Sequence, residues 1–481
     1  MTKIFNLRNT IIFVFVSVLW KIFLSAVLSL HSDEAYYWLW STNLQLSYYD
    51  HSPMIAYFIK LTTLFSNSEL AVRFSSIIAT VILSVFLWKL VIKLFNNEQV
   101  ASVSVILLHA MPMMFTASII ITPDTPSFLF LSIATFYVWS LIETENQNYW
   151  YLIGLFFGLS LLSKYTAILF ILSLFIYCIF SKKISWFKQY QLYIALLISL
   201  ICFLPVIYWN YTNEWVSFSY QFKHGLSNTG YRFNYLFEYL GTQMIIFNIL
   251  VFLPTFIISF IYLFSKDKKK VFLASFSLPI ILFYAVTALK KLPGANWPIP
   301  AYFTFSIIAA AYFLEGGKIK HKLLIIGICF NLVISVLIGL HAKYTIIPLE
   351  KFSDKIAVAD ATNYFYGYKD LAERLLEENV QFVVTPAHQV AASIAYYSNN
   401  KIKTWAYSSH TKKSQYDLWG FPKECSNQIG AFVYEPKENG EEPYDIGVLF
   451  SNVSDEILSQ KTIRHNNIVR QYNIKKISGK R

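Results

Sequence analysis

The stretch YWYLIGLFFGLSLLSKYTAILFILSLFIYCIFS, residues 149–181, holds a single charged side chain, Lys164, in 33 residues. A helix that spans a membrane needs about 20 apolar residues, so the stretch is too long for one span and short for two. A lysine at the middle of a bilayer is costly. The stretch therefore predicts two short membrane helices joined by a tight turn at Ser163 and Lys164, which places Lys164 at a surface.

The composition of the whole chain also indicates a membrane protein. Of its 481 residues, 56% are hydrophobic and 14% are charged, and the mean hydropathy is +0.45. This is too apolar for an ordinary soluble protein. The formal net charge of +12 could suit nucleic acid, but the lysines cluster in short loops between apolar segments, as they do on the cytoplasmic side of membrane proteins. We therefore attribute the charge to membrane topology and expect no nucleic-acid partner.

Apolar segments long enough to be considered as spans recur along the first 341 residues. The segment nearest the N-terminus lacks a small-residue cleavage site before His31, so we expect a retained helix and not a removed signal peptide. The chain is predicted to form a helical multi-pass membrane protein with about eleven spans. They are residues 10–30, 72–95, 99–118, 126–142, 149–164, 165–181, 191–209, 243–264, 271–289, 300–315 and 322–341.

The positive-inside rule orients these spans with the N-terminus in the cytoplasm. Lysines then fall in the cytoplasmic loops, and the one loop that breaks the pattern is 143–148. The bacterial inner membrane is the expected location. The expected domains are a membrane module, 1–342, and a periplasmic domain, 343–481. The loops predicted on the periplasmic side are 31–70, 119–125, 210–242 and 290–299.

The C-terminal domain is predicted to be a small mixed α/β unit. After about residue 341 no further spanning segment follows. Short strand-like runs (QFVV, GAFVYE, IGVLF) alternate with helix-like runs (YKDLAERLLEE, QVAASIAYYS).

Ionisable side chains concentrate on the outer side of the membrane. A transporter would need polar groups near the middle of the bilayer, whereas the helices between these loops are almost free of them. The distribution favours a reaction or binding site at the outer interface. The outer residues are Asp33, Glu34, Asp50, His51, Lys60, Asp124, Lys164, His224, Arg232, Lys290 and Lys291.

The acids of these loops allow two interpretations. Asp33 and Glu34 are adjacent and so point to different sides of an element, which favours one acting and the other supporting it. One of them can serve as a general base, or Ser32 and Asp33 can cap a helix whose dipole Glu34 complements. Asp50 and His51 precede Ser-Pro in a turn that starts a helix. Asp124 also precedes a helix, and it is the only charge in its loop.

The cations and aromatic residues of the outer loops also have two explanations. Lys164, Lys290 and Lys291 either reach lipid head groups or bind a phosphate. The segment KKLPGANWPIPAY adds Asn296 and Trp297, a composition suited to phosphate and sugar. Trp38 and Trp40 are candidates for stacking on a sugar, although most Trp and Tyr residues of such a chain form the interfacial belt.

Five motifs in order resemble a known family: DEAYYWLW, YYDHSPMIAYFIKL with SELAVR, TPDTP, LLSKYTAIL and KKLPGANWPIPAY. Together they resemble bacterial members of glycosyltransferase family 39. These are GT-C enzymes that include protein O-mannosyltransferases, lipid A aminoarabinose transferases and galacturonosyltransferases of the RgtA/B/C/D-like type. The resemblance extends over nearly the whole chain, including YGYKDLAERL and SQYDLW in the C-terminal domain.

The resemblance implies a GT-C fold and transfer of a sugar from a polyprenyl-phosphate (undecaprenyl-phosphate) carrier. The acceptor would be lipid A or lipopolysaccharide, another glycan or a protein, at the periplasmic face. By this resemblance, Asp33 is the reacting acid and Glu34 supports it, while Asp124 is a second functional acid. Contacts with the carrier phosphate would come from Lys164 and the Lys290/Lys291 pair. A displacement that inverts the anomeric carbon, with Asp33 as the general base, requires no cofactor. A divalent metal held by the loop acids is also compatible with this reaction.

One motif differs from that of the aminoarabinose transferases, and this difference weakens the case for aminoarabinose as the sugar. They have Glu-Lys-Pro where this chain has Asp50-His51-Ser52-Pro53, and histidine holds phosphate only when protonated or through one N–H. Two alternatives to an enzyme also remain at this stage. One is a transporter or flippase of lipid-linked sugars; the other is a non-catalytic membrane subunit whose α/β domain binds glycans.

Overall fold

The computed structural model describes residues 4–225, 230–407, 413–436, 442–443 and 445–481, with the backbone alone at 223–225. The part before residue 345 is helical. Its helices are α1 Leu7–Val27, α2 Ser32–Thr42, α3 Met54–Thr62, α4 Glu69–Phe95, α5 Glu98–Ala110, α6 Pro112–Ile119, α7 Asp124–Thr144, α8 Tyr149–Leu161, α9 Leu169–Phe180, α10 Tyr190–Thr212, α11 Val216–Gly225, α12 Phe233–Phe247, α13 Phe252–Leu263, α14 Lys268–Ser275, α15 Leu278–Ala288, α16 Tyr302–Leu314 and α17 Lys318–Tyr344.

Six spans in the described residues are long and apolar enough to cross a membrane: α1, α4, α7, α10, α14 with α15, and α17. Two bent pairs raise the number to eight, α5 with α6 at 64° and α12 with α13 at 103°. The first bend follows from Pro112, because proline lacks an N–H and disfavours helical geometry in the residue before it. Met111 accordingly has ψ 131.

The eleven predicted segments all lie on helices, but the count of eleven is not confirmed. It requires three apolar helices that are shorter than a full span: Tyr149–Leu161, Tyr165–Phe180 and Ile299–Leu314. The predicted hairpin of residues 149–181 is present, since α8 ends at Leu161 and a 3₁₀ turn, Tyr165–Ile168, leads into α9.

The hairpin is held in place by close helix packing. A Cβ on Gly154 would lie 2.4 Å from the carbonyl oxygen of Ala195, so α8 and α10 approach at a distance that only glycine allows. Ser199 Oγ donates to the Gly154 carbonyl at 2.8 Å. At the centre of the bundle, α16 is buried along nearly its whole length, whereas α1 and α10 leave most of their apolar surface exposed, as expected of helices that face lipid.

The C-terminal part is an α/β domain. Its helices are α18 Asp354–Val358, α19 Tyr368–Glu377, α20 His388–Tyr397 and α21 Gln415–Trp419, and its strands are β1 Phe382–Thr385, β2 Lys403–Ala406, β3 Gly430–Tyr434, β4 Phe450–Val453, β5 Leu458–Arg464 and β6 Asn467–Lys480. The strand order is β2-β1-β3-β6-β4, with β5 also paired to β6. The pairs β1–β2 and β1–β3 are parallel, and the pairs of β6 are antiparallel. Of the predicted strand runs, IGVLF is mostly a 3₁₀ turn, and only Phe450 begins a strand.

The contacts of the domain with the membrane module include α20 and the end of α17. Helix α20 packs on α2, where the rings of Trp38 and Tyr396 meet edge to face at 4.9 Å. At the end of α17, His341 Nε2 and His465 Nε2 each lie 3.1 Å from Asp360 Oδ2. The predicted fold class, a helical multi-pass protein with a small C-terminal α/β domain, is confirmed.

Candidate active site

The two adjacent acids of the first outer loop have separate surroundings. His31 caps α2, because its Nδ1 accepts the Asp33 N–H at 3.2 Å, and the Glu34 carboxylate closes the capping box by accepting the His31 N–H at 2.9 Å. The cap is thus His31, and the prediction that Ser32 and Asp33 cap the helix is wrong. The Asp33 side chain is 44% exposed, whereas that of Glu34 is fully buried.

Glu34 forms a buried ion pair with Arg73 of α4. Arg73 Nη2 donates to Glu34 Oε2 at 2.6 Å and Nε donates to Oε1 at 2.9 Å, while the Ile121 N–H donates to Oε1 at 3.1 Å. Arg73 also donates to the carbonyls of Leu28 and Ser29, both at 2.7 Å. Every oxygen of Glu34 is engaged, so this acid fastens α1, α2, α4 and the loop before α7. The supporting role that the resemblance implied for Glu34 stays a prediction.

Asp124 and Lys164 form a second buried pair. Lys164 Nζ donates to Asp124 Oδ1 at 2.6 Å, and Asn296 Nδ2 donates to Oδ2 at 2.6 Å. The side chains are 6% exposed for Asp124 and 10% for Lys164. The tight turn after α8 is as predicted, but Lys164 does not lie at a surface. Its charge is neutralised by Asp124, which allows burial.

The segment after α15 brings Asn296 and Trp297 to this pair. The Lys164 ammonium lies 5.9 Å from the centre of the Trp297 ring. Gly294 allows Trp297 to pack against the turn, because a Cβ at residue 294 would lie 2.5 Å from Trp297 Nε1. Lys290, exposed at the start of the segment, lies over the ring of Tyr231 at 5.7 Å, and Lys291 is its half-exposed neighbour.

Asp50 lies in the turn before α3, as predicted, but it does not cap that helix. The cap position is Pro53. Asp50 is buried, and its Oδ2 accepts from the Tyr36 hydroxyl at 2.8 Å. The turn is fixed against the end of α8, since the Met54 N–H donates to the Leu162 carbonyl at 3.2 Å. The half-exposed His51 presents its ring edge-on to Tyr37, with centroids 6.3 Å apart.

The charges of three of the carboxylates act on the hydroxyl of Tyr37. Burial raises the pKa of its hydroxyl well above the usual value, and the charges of Asp33, Asp50 and Asp124 raise it further. Coulomb interactions weaken with distance, so all three acids lie around this side chain. The predicted site residue His224 lies outside the residues whose side chains the structure describes.

The C-terminal domain contributes residues that the sequence did not single out. Gln389 Nε2 lies 3.5 Å from Asp33 Oδ1, at the limit of a hydrogen bond. The Gln415 N–H donates to the Tyr36 hydroxyl at 2.7 Å, and the ring of His388 lies 4.6 Å from that of Tyr36. Gln415 lies in the motif SQYDLW and Gln389 begins the helix-like run QVAASIAYYS, but neither was chosen as a site residue. Trp38 and Trp40, proposed to stack on a sugar, are 2% and 0% exposed, so that expectation is wrong.

Among the described residues, two of the four acids of the site are paired with a lysine or an arginine. Glu34 has Arg73 and Asp124 has Lys164. One group of residues in the described part of the chain has ligand atoms close enough together to hold a single metal ion. It consists of His341, Asp360 and His465, which lie outside this site. There the Ile347 N–H donates to His341 Nδ1 at 3.0 Å, so the ring carries its proton on Nε2, toward Asp360. This is a hydrogen-bond network between α17 and the domain.

The arrangement agrees with solved structures of one class of membrane protein. The chain superposes on ArnT from Cupriavidus metallidurans bound to undecaprenyl phosphate with a TM-score of 0.69, over 97% of each chain and at 11% identity. The apo state of that protein gives 0.68 at 12% identity. The protein is therefore a multi-pass membrane protein with the GT-C fold.

Sequence comparisons agree with this class. Residues 50–209 match the family model described as dolichyl-phosphate-mannose-protein mannosyltransferase. The chain is 25% identical over 283 residues to the lipid A galacturonosyltransferase RgtD of Rhizobium johnstonii, which covers 58% of this chain and 59% of RgtD. The resemblance drawn from the motifs is confirmed.

Proposed function

We propose that this protein is a polyprenyl-phosphate-sugar-dependent glycosyltransferase that acts at the periplasmic face of the inner membrane. The observation that carries the proposal is that the half-exposed Asp33, the buried Asp50 and the Asp124 of the buried Asp124–Lys164 pair all act electrostatically on the hydroxyl of Tyr37. A partly exposed carboxylate is available to a substrate hydroxyl, and the pair supplies a positively charged group.

Asp33 serves as the general base. It takes the proton of the acceptor hydroxyl, and the oxygen attacks the anomeric carbon of the sugar. The bond between that carbon and the phosphate oxygen breaks as the new bond forms, the electron pair leaves with the phosphate, and the configuration at carbon inverts. Asp33 is suited to this role because it lies in the first turn of α2 and its side chain is 44% exposed, so a substrate hydroxyl can contact it.

Lys164 stabilises the phosphate that leaves. An ammonium has three N–H donors, and Asp124 accepts from one of them at 2.6 Å, which leaves the others for phosphate oxygens. Asp124 and Asn296 hold the lysine in position before the donor arrives, so that no reorganisation is needed when charge develops. Lys290, Lys291, His51 and His224 remain predicted contacts of the carrier phosphate or the sugar.

The relatives support a lipid-linked donor and a lipid or glycan acceptor. One solved relative binds undecaprenyl phosphate, and the curated relative is a lipid A galacturonosyltransferase. A carrier in the membrane delivers its sugar at the interface, which is where the positive-inside rule places these loops. A hexose, a pentose and a uronic acid all fit the proposal, as do lipid A, another glycan and a protein as the acceptor.

A transporter of lipid-linked sugars is the alternative, and it needs polar groups inside the bundle. Lys21 and His109 are such groups: both are buried, with Lys21 Nζ 3.3 Å from His109 Nδ1. His109 Nε2 bonds to Ser84 at 2.7 Å. This cluster joins α1, α4 and α5 to one another and has no contact with the three acids around Tyr37 among the described interactions, so we favour the transferase.

The test is sugar transfer by Asp33→Asn. Mass spectrometry of envelope lipids and glycans with and without the protein first identifies the sugar and the acceptor from the mass that disappears. We then expect Asp33→Asn to fold normally and to transfer roughly 10² to 10⁴ times more slowly, the usual contribution of a general base. Asp370→Asn, an exposed acid of α19, is the matched control and keeps full activity. Full transfer by a folded Asp33→Asn protein would refute the assignment.

A further inference from the structure

A pocket of about 360 Å³ lies between the end of α2 and the C-terminal domain, away from the acids around Tyr37. Its walls come from the end of α2, from the turn before β2 and the start of β2, and from α21 with the turn after it. No helix that spans the membrane contributes to its lining. The residues on which the argument depends are Asn43, Asn400, Lys403, Thr404, Trp419 and Glu424.

One wall of the pocket is aromatic and fixed in orientation. Trp419 ends α21 and is partly exposed. Its ring packs edge to face on Tyr416, with centroids 5.5 Å apart. The hydroxyl of the buried Tyr416 bonds to Thr404 Oγ1 at 2.9 Å, which ties α21 to β2. The Trp419 ring is therefore a pre-oriented surface and not a mobile side chain.

The other walls carry hydrogen-bonding groups of every kind. Asn43 and Asn400 each offer an amide, Lys403 an ammonium and Glu424 a carboxylate, and all four are exposed. Binding pockets for small molecules combine apolar and aromatic surface with a few convergent polar groups. A ring with one apolar face and many hydroxyls matches this set, because an aromatic side chain covers the apolar face while amides and charged groups meet the hydroxyls as donors and acceptors.

We propose that this pocket binds a saccharide segment of the acceptor. The inference rests on the proposed function, and it adds the place where the acceptor is held. The polyprenyl chain of the donor belongs in the bilayer, and no spanning helix lines the pocket, so the occupant is a glycan on the aqueous side. Lys403 further favours a saccharide that carries a carboxylate or phosphate group.

The pocket is connected to the reacting residues through two helices. Asp33 is the second residue of α2 and Asn43 follows its last residue, a separation of about 15 Å at the rise of an α-helix. Helix α21 starts at Gln415, whose N–H bonds to Tyr36 beside Asp50, and it ends at Trp419 in the pocket. An acceptor held by the pocket extends along these helices and presents a hydroxyl to Asp33.

The first test measures binding without transfer. The full-length protein with Asp33→Asn is placed in lipid nanodiscs and titrated with the core oligosaccharide released by mild acid from the lipopolysaccharide of the organism that carries the protein. Binding is followed by saturation-transfer difference NMR. We expect saturable binding that weakens about tenfold in Trp419→Ala and Lys403→Ala, the size typical of one aromatic or charged contact. Trp419→Phe keeps the aromatic face and retains binding, which separates loss of contact from loss of fold.

Two neighbouring substitutions are the matched controls. Leu418→Ala and Lys401→Ala change exposed residues next to Trp419 and Lys403 that do not line the pocket, and both keep the wild-type affinity. Absence of saturable binding to the Asp33→Asn protein, or equal binding by the pocket variants and the controls, overturns the proposal.

A second measurement separates this proposal from the proposed function. In the active protein, Trp419→Ala raises the KM for the acceptor about tenfold and leaves kcat within twofold, because the pocket binds away from the reacting atoms. Transfer with an unchanged KM in Trp419→Ala rejects the pocket and keeps the transferase. Saturable, Trp419-dependent binding without any transfer by the wild-type protein keeps the pocket and rejects the transferase.

Discussion

Glu34 and Asp124 are both buried acids paired with a cation at 2.6 Å, yet they belong to different kinds of site. The Glu34–Arg73 pair is fully buried, and its remaining hydrogen-bonding groups meet backbone atoms of the last turn of α1, of the segment that follows α1 and of the loop before α7. The Asp124–Lys164 pair keeps a small exposure, and it is joined by side chains of another segment, Asn296 and Trp297.

The difference lies in what the cation can still bind. The guanidinium of Arg73 uses its donors on Glu34 and on backbone carbonyls, so it has no donor to offer a ligand. Lys164 has a single bond to Asp124 among the described interactions and lies beside an aromatic ring. The first pair therefore stabilises the fold, and the second is suited to bind a phosphate.

The largest effect is expected from breaking the first pair. Arg73→Ala leaves the Glu34 carboxylate buried without its cation, which costs about 3–5 kcal/mol of unfolding free energy. We expect little folded protein in the membrane and a much lower melting temperature in detergent, measured by thermal unfolding of the purified protein.

Removing both charges sharpens this prediction. The double variant Glu34→Leu with Arg73→Leu buries no charge, so it recovers part of the stability that Arg73→Ala loses. If both variants unfold at the wild-type temperature, the Glu34–Arg73 pair does not stabilise the fold.

The next effect concerns the second pair and falls on transfer. Lys164→Ala removes the cation that we propose stabilises the leaving phosphate, and we expect transfer to slow by roughly 10² to 10³, the usual loss for one stabilising group. Stability falls less than in Arg73→Ala, because Asn296 still donates to Asp124. Single-turnover rates at saturating donor measure this.

The control for Lys164 is Lys60→Ala, an exposed lysine of the first outer loop, which keeps the wild-type rate. If Lys164→Ala loses as much stability as Arg73→Ala and transfers at the wild-type rate, the two pairs do not differ in kind.

Asp360 is a partly buried acid outside the helix bundle, and it is expected to have a smaller effect. Burial alone would raise the pKa of its carboxyl, but hydrogen bonds from Thr362 and His465 outweigh burial, and the pKa lies below its usual value. The stabilisation that follows is present above about pH 4 and is lost as the pH falls through the lowered pKa.

Asp360→Asn tests this pH dependence. The substitution replaces one of the two carboxylate oxygens by an NH2 group, so a single oxygen remains to accept from Thr362, His341 and His465, and the loss costs about 1–3 kcal/mol at neutral pH. Melting temperatures measured from pH 7 down to pH 3 should fall more steeply below pH 4 in the wild type than in Asp360→Asn. Parallel curves would show that Asp360 does not couple protonation to stability.

The sequence predicted which residues would gather at the site, because charge patterning places them on one side of the membrane. Asp33, Asp50 and Asp124 were chosen as outer-loop acids, and the charges of all three act on the hydroxyl of Tyr37. Asn296 and Trp297 were chosen from the composition of their segment, and they join Lys164. The helical bundle and the C-terminal sheet followed from apolar length and strand periodicity.

The pairing of these residues could not be predicted, since it depends on tertiary packing. Glu34 meets a residue 39 positions away, and Asp124 meets residues 40 and 172 positions away. Adjacent acids gave no sign that one would be buried and the other half-exposed. The contacts of Gln389 and Gln415 with the site arise from docking of the domain on α2, which no local pattern records.

The smallest effect is expected from an exposed pair of similar length. Lys93 Nζ lies 2.5 Å from Glu143 Oε2, and the side chains are 33% and 34% exposed. Water and salt screen such a pair, so Lys93→Ala should cost less than about 1 kcal/mol. Thermal unfolding at low and high salt measures this, and a loss comparable to that of Arg73→Ala would contradict it. The three pairs have nearly equal N–O distances. A difference in the loss of stability or activity between them is therefore caused by their burial and by the other groups that each pair contacts.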